Sequence, residues 1–392
     1  MALKSILTLA LLPAALAKSC SKNNLTWTDG ALRMNHMQVV GTHNSYHIEA
    51  PNEEKEVQAE LLENAINYWY SHPQLDIQLG DQQMRNLEID VLADPEGGNY
   101  AKPAIRREAG LPYDSDPVWN EPGVKVLHIP DADVHTVCKT LKSCLAIIRD
   151  WMDAHPHAVP IPIMMEFKTA DRDLGAKVIP WDGEGLLDGL DEEIVEILGR
   201  QRLIVPDDLR EGNLTLEESV LGRGWPDLDS ARGKIFFLMD NGESDVRSAY
   251  IEGRPNLEGR VLFTNSEPGE PSCAFQKLNE PNTERQIANI QEQVAAGYWV
   301  RTRADVPMDT VVSRNCSTTQ RDNALRSGAH IVSTDFPVYG MSSRWGCDYA
   351  CRLDDSKAAR CNPVNGPNEC DDEFGLEPEV TLRGSIGVDE LK

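Results

Sequence analysis

Apolar residues in this chain gather into eight short runs rich in β-branched side chains, at about 37–42, 86–92, 124–128, 161–167, 234–239, 260–264, 299–303 and 330–335. Most lack the apolar–polar alternation of a strand with one wet face, so they predict parallel strands buried on both sides. Between several runs the spacing changes to three and four residues. Over 140–154, Leu141, Cys144, Leu145, Ile148 and Met152 fall on one helical face. The stretches 186–198 and 284–296 behave similarly, and 316–326 is compatible with a helix. Strands alternating with helices imply βαβ units and a parallel sheet. Eight of them predict an α/β chain folded as a (β/α)8 TIM-type barrel, regular or distorted. A doubly wound open sheet is the alternative, disfavoured because no Gly-x-Gly-x-x-Gly follows the first run.

Two stretches break the rhythm. Residues 94–122 are rich in Pro, Gly and Asp and carry Tyr100, Tyr113 and Trp119, which reads as a long excursion between the second and third strands. After about 341 no strand–helix alternation remains, and Cys347, Cys351, Cys361 and Cys370 crowd together. The expected division is a leader over 1–17, a catalytic barrel over 18–340, and a disulfide-rich C-terminal extension over 341–392.

The leader follows from Lys4, the apolar stretch Ile6 to Leu12, and Ala15-Leu16-Ala17 as a small-residue cleavage site. It is too short to span a bilayer, and no other stretch approaches the ~20 apolar residues required, so no transmembrane segment is expected. A secreted, extracellular protein is the reading. The nine cysteines then suggest disulfides, with an odd one left over. Asn24, Asn213 and Asn315 head glycosylation patterns. Asp389-Glu390-Leu391-Lys392 is similar to a retention tail but ends one residue too late, and predicts no retention. A net charge of −25 excludes nucleic acid as partner and gives no long-range pull toward an anionic bilayer. A lipid would have to be met through local contacts.

The candidate chemistry lies at the ends of the runs. The first ends Gly41-Thr42-His43-Asn44-Ser45-Tyr46-His47. In the second, Glu88 and Asp90 are two apart and share a strand face. Two carboxylates facing the inside of a barrel repel unless a cation sits between them. Asn44 and Glu166 add further oxygens, and an all-oxygen set suits Ca²⁺ or Mg²⁺. The structural alternative pairs Glu88 and Asp90 with Arg85 or Lys168. His43 and His128, each at a run's end, suit phosphodiester cleavage, one stabilising a phosphorane and one protonating the leaving oxygen. Lys168 shares a face with Glu166 and could meet a phosphate. Arg301, Arg303 and Asp335 read as ion pairs near the same rim. His36, His47, His72, His135, His155, His157 and His330 are expected to be structural. No Gly-x-Ser-x-Gly elbow or P-loop is present.

Gly41-Thr42-His43-Asn44-Ser45-Tyr46, Glu88-Ile89-Asp90, His128 and Glu166-Phe167-Lys168 together resemble the calcium-dependent phosphoinositide-specific phospholipases C, secreted single-domain microbial branch. Gly224-Trp225-Pro226, Arg232-Gly233-Lys234, Val300 to Asp305 and Ser333 to Pro337 extend the resemblance over roughly 36–340. It implies a distorted (β/α)8 barrel cleaving phosphatidylinositol on the glycerol side of the phosphate. It implies Ca²⁺ held by Asn44, Glu88, Asp90 and Glu166, His43 on the phosphorane, His128 as general acid, and Lys168 and Arg303 on substrate. Glu88 or Glu166 would help deprotonate the inositol 2-hydroxyl, giving inositol cyclic phosphate and diacylglycerol. The alternatives are a glycerophosphodiester or sphingomyelin phosphodiesterase on the same scaffold and, more remotely, a non-catalytic secreted binding protein.

Overall fold

The computed structural model of the chain describes residues 23–170, 173–354, 357–373 and 375–377. Its strands are β1 (Met37–Thr42), β2 (Leu87–Val91), β3 (Ile161–Phe167), β4 (Ile235–Met239), β5 (Leu262–Phe263), β6 (Phe275–Lys277), β7 (Trp299–Arg303), β8 (Ile331–Thr334) and β9 (Ala359–Cys361). The ladders among β1 to β8 are parallel. They form two half-shells, β6-β7-β8-β1 and β2-β3-β4-β5, with β9 beside β1. Both seams between the halves are thin. At one, Arg85 N donates to Val40 O and Thr42 N to Asn86 O; at the other, a single parallel bridge joins Asn265 to Phe275. The result is a (β/α)8 barrel of distorted form, as the apolar runs predicted.

The first seam explains Gly41. A Cβ there would lie 2.3 Å from the Asn86 Cβ and 2.6 Å from its carbonyl oxygen, so only glycine lets β1 approach β2 this closely. Below it the seam is covered by the cysteine-rich segment. β9 runs antiparallel to β1, with Met37 opposite Cys361. Glu377 then receives the Arg85 guanidinium at 2.6 Å and the Val159 N–H at 2.8 Å.

Helices fall where the three- and four-residue spacing put them. Leu141–Ala154 starts on a Thr140 cap, Leu186–Leu198 and Glu284–Ala296 match their expected bounds, and Thr319–Arg326 is shorter than expected. The expected strand at 124–128 is not one. Lys125 makes isolated antiparallel bridges to Leu92 and Thr140, and its ammonium pairs with Asp94 at 3.2 Å. Val126 and Leu127 are buried on different clusters, which gives a strand-like pattern without a ladder. The eighth barrel strand is instead β6, three residues long. The excursion over 94–122 packs inward: Tyr100 and Trp119 are buried against Leu92 and Leu127.

Among the described residues, three disulfides join Cys138–Cys144, Cys316–Cys347 and Cys361–Cys370, and Cys273 and Cys351 are buried as thiols. The expected leader, Cys20 and Asp389–Lys392 lie outside the described residues. No helix among those residues is long and apolar enough to cross a membrane.

Candidate active site

The turn after β1 is locked onto β2 by side chains that flank the chemically competent ones. Ser45 N donates to Glu88 O at 2.9 Å and Ser45 Oγ accepts from Glu88 N at 2.8 Å. Thr42 Oγ1 donates to Gln78 Oε1 at 2.6 Å. Asn44 tops this turn at φ +47°, a left-handed conformation that asparagine tolerates better than most residues. Its Oδ1 is buried and accepts no hydrogen bond among the described residues.

β2 and β3 are in register with Asp90 opposite Glu166, so Glu88, Asp90 and Glu166 bring carboxylate oxygens within 4.8 Å of one another. Basic groups partly neutralise them. Lys168 Nζ lies 2.6 Å from Asp90 and 3.0 Å from Glu166, and Arg301 lies 2.6 Å from Glu88. Arg85, the other expected partner, turns away to Glu377. Three carboxylates thus face two cations. Burial pushes Glu88 up to about 7 in spite of Arg301, and pushes Asp90 well up in spite of Lys168, with the neighbouring carboxylates adding to both shifts. Excess negative charge, an orphaned amide oxygen and an all-oxygen donor set fit a hard divalent cation such as Ca²⁺.

His43, at the end of β1, contacts Asp335 Oδ1 through Nδ1 at 2.7 Å, and its Nε2 is 3.6 Å from Glu88 Oε1. The other Asp335 oxygen takes Arg303 at 2.6 Å. Burial, then the Arg303 charge, pulls His43 down to about 3 against the raising effect of Asp335. The neutral ring therefore carries its proton on Nδ1, toward Asp335, and leaves Nε2 as the free nitrogen.

His128 sits on an irregular segment, not at a strand end. Ile129 and Asp133 exchange both backbone hydrogen bonds. This tight turn brings Asp133 Oδ2 to 2.8 Å from His128 Nδ1. The same Oδ2 is 2.8 Å from His47 Nε2, and Gln58 Nε2 donates to Oδ1 at 3.1 Å. Burial, then the charge of Lys168, lowers His128 against the pull of Asp133.

Sequence comparison agrees with this chemistry: the family described as phosphoinositide phospholipase C, Ca²⁺-dependent, matches residues 32–363. The chain belongs to that family. It is a phosphodiesterase enzyme of the phospholipase C type. No curated protein matches its sequence. Among solved structures it is similar to the calcium-dependent phosphoinositol-specific phospholipase C of a Pseudomonas species, apo form, at 16% identity and TM-score 0.51, covering 87% of this chain and 98% of that one. The myoinositol complex of that Pseudomonas enzyme is similar at 16% identity and TM-score 0.51, over 84% and 96% of the two chains. These likenesses bear on the fold, and the fold is the distorted barrel described above.

The expected site residues thus fall into three groups on one rim: Glu88, Asp90, Glu166 and Lys168; His43 with Arg303; and His128. Asn44 lies on the turn tied to β2. Sequence reasoning named His47 and His72 only as structural histidines and did not single out Asp133 or Tyr70. His47 and Tyr70 surround the histidines, and the His72 imidazole bonds the His43 carbonyl at 3.0 Å. Asp335 had been read only as an ion pair. The available signals were weak: His47 follows His43 by one turn of polar chain, and Asp133 follows His128 across Pro130.

Proposed function

We propose that this phospholipase C cleaves phosphatidylinositol on the glycerol side of the phosphate. The inositol 2-hydroxyl attacks phosphorus, the bond to the glycerol oxygen breaks, and inositol cyclic phosphate and diacylglycerol leave. The carrying observation is the pairing of two aspartate-held histidines with a buried carboxylate cluster that its own basic side chains do not neutralise.

Asn44, Glu88, Asp90 and Glu166 would hold Ca²⁺, which when bound offsets phosphate charge and lowers the pKa of the attacking hydroxyl. Glu88 or Glu166 accepts that hydroxyl's proton. His43, oriented by Asp335, presents Nε2 to the equatorial phosphoryl oxygen and, taking up a proton from solvent as the phosphate's charge arrives, donates to that oxygen where charge develops. His128, oriented by Asp133, presents Nε2 to the glycerol oxygen and delivers the proton that lets diacylglycerol depart. Lys168 and Arg303 contribute positive charge near the phosphate. The disulfides, the leader pattern and the absence of a spanning helix among the described residues support a secreted enzyme.

Phosphorus NMR of the products from phosphatidylinositol micelles tests this reading. Calcium-dependent appearance of an inositol cyclic phosphate, abolished by chelator, is the expected result. Turnover only of glycerophosphodiesters or sphingomyelin would overturn the substrate assignment, and no turnover of any phosphodiester would overturn the mechanism.

A further inference from the structure

His128 has no strand to place it. His43 directly follows β1, whereas the chain around His128 makes isolated bridges and no ladder, so packing must set the position of its ring. The Ile129–Asp133 turn fixes its own shape through the backbone bonds between its ends. Those bonds do not locate the turn on the rim. Asp131, within this turn and 3% exposed, ties it to two other segments. Its Oδ1 accepts from Ala104 N at 2.8 Å and its carbonyl oxygen from Ile105 N at 2.8 Å, while its Oδ2 accepts from Ala176 N at 2.8 Å. Ala104 and Ile105 open the short helix Ala104–Glu108 within the 94–122 excursion, and Ala176 lies on the connection that follows β3. Backbone N–H groups bond a carboxylate more strongly than a neutral acceptor. The backbone of Asp131 stands at φ +70°, a left-handed conformation that aspartate adopts more readily than most residues.

We infer that Asp131 is a positioning residue for the general acid: it fastens the turn that carries His128 to the 94–122 excursion and to the connection after β3, and so sets the reach of His128 to the leaving oxygen. Two apolar clusters act in the same sense. Leu127, next to His128, packs with Tyr100, Ala101 and Trp119 of the excursion and with Ala176. Ile129 and Ala132 pack with Leu62. Apolar contacts are non-directional and let a loop slide, whereas three hydrogen bonds from two segments to one residue fix position and orientation together. The need is chemical. A general acid delivers its proton over about 2.6–3.2 Å between heavy atoms, and a misplacement of about 1 Å costs on the order of 10²-fold in rate. His43, Glu88, Asp90 and Glu166 lie on or next to paired strands, so their own ladders place them. The excursion adds no strand to the barrel, and buttressing the acid gives it a function.

The inference rests on His128 being the general acid, and the test separates the two by leaving group. Steady-state rates of the full-length protein are measured on phosphatidylinositol micelles and on an inositol aryl phosphodiester, whose phenolate departs unprotonated. Asp131→Gly suits the left-handed backbone and removes both carboxylate bonds, whereas Asp131→Asn suits it too and keeps one acceptor. On phosphatidylinositol, Asp131→Gly should lower kcat by about 10- to 10²-fold with KM within about twofold, and Asp131→Asn by less. On the aryl substrate both should stay within about threefold of wild type. In a His128→Ala background, Asp131→Gly should cost nothing further on phosphatidylinositol, because a misplaced acid and a missing one lose the same step. General loss of packing would instead slow both substrates alike and add to the loss from His128→Ala. Equal impairment on the two substrates, full additivity with His128→Ala, or wild-type rates in both Asp131 variants overturns the inference. An aryl substrate that fails to rescue His128→Ala overturns the general-acid reading, and the inference with it. If Asp131→Gly does not fold, Asp131→Asn carries the test.

Discussion

His43 and His128 each direct Nδ1 at a buried aspartate, Asp335 at 2.7 Å and Asp133 at 2.8 Å. Each aspartate also meets a second basic side chain, Arg303 in one centre and His47 in the other. The chemistry is alike and the placement is not. His43, Asp335 and Arg303 come from the ends of β1, β8 and β7, neighbours in one half-shell. His128, Asp133 and His47 come from irregular chain, tied together by the Ile129–Asp133 turn and by the isolated bridge between His47 and Thr136. The second cation also differs in kind. Arginine stays charged at any working pH, whereas histidine can give up its proton. The first centre is thus a fixed electrostatic device and the second a titratable one.

Both depend on the carboxylate cluster between them, so the largest expected effect strikes both. Asp90→Asn should cut calcium-dependent turnover by about 10³-fold or more. It should also remove the rise in melting temperature that Ca²⁺ gives the wild-type protein, about 2.7 kcal/mol of stabilisation at 100 times Kd. Thermal unfolding with and without Ca²⁺ checks this. A preserved calcium shift would place the ion elsewhere.

Next come the histidines, which the leaving group tells apart. His43→Ala and His128→Ala should each cost about 10²- to 10⁴-fold on phosphatidylinositol. An inositol aryl phosphodiester, whose phenolate needs no protonation, should rescue His128→Ala and leave His43→Ala impaired. Steady-state rates on the two substrates decide it. Equal rescue, or none, would erase the division of labour between the centres.

The sequence showed one centre far better than the other, for a physical reason. A parallel strand buried on both faces is a run of apolar residues, and a polar residue at its end lies on the rim, so His43, Glu88, Asp90 and Glu166 were legible. Asp335 was visible as a strand end, but its contact with His43 depends on β8 lying beside β1, which no local pattern states. The run at 124–128 misled because Val126 and Leu127 bury on different clusters as a strand's residues do, while Lys125 spends its bonds on Asp94 and two lone bridges. β6 was invisible because three residues carry no periodicity. His47 and Asp133 were invisible as partners because they meet across loops, where the order of residue types predicts little about distance.

A smaller effect separates the aspartates in stability. Asp335→Asn leaves the Arg303 guanidinium buried without its anion, which should cost about 3–5 kcal/mol. Asp133→Asn leaves His47, which can shed its proton, so the cost should be about 1–3 kcal/mol, that of a lost buried hydrogen-bond partner. Urea unfolding at pH 7 measures both. An equal loss would mean that the cation on Asp133 is no easier to neutralise than an arginine.

The smallest effect is the pH dependence of that difference. Asp335 and Asp133 are both held below the usual carboxylate range, so their contribution is present above about pH 4 and fades as pH falls toward their folded values. That loss is common to both centres and does not distinguish them. His47 goes the other way. Its proton is held more tightly in the folded chain than in the unfolded one, so its stabilisation is complete below about pH 6.5 and declines as pH rises through the higher folded value. The first centre has no counterpart, because Arg303 does not titrate in this range and burial keeps His43 neutral. The melting-temperature gap between wild type and His47→Gln should therefore be widest near pH 6 and narrow steadily toward pH 9. The acidic groups common to both proteins cancel in the difference. A gap that stays constant would show that His47 carries no charge in the folded protein, and the two centres would then differ only in where the chain puts them.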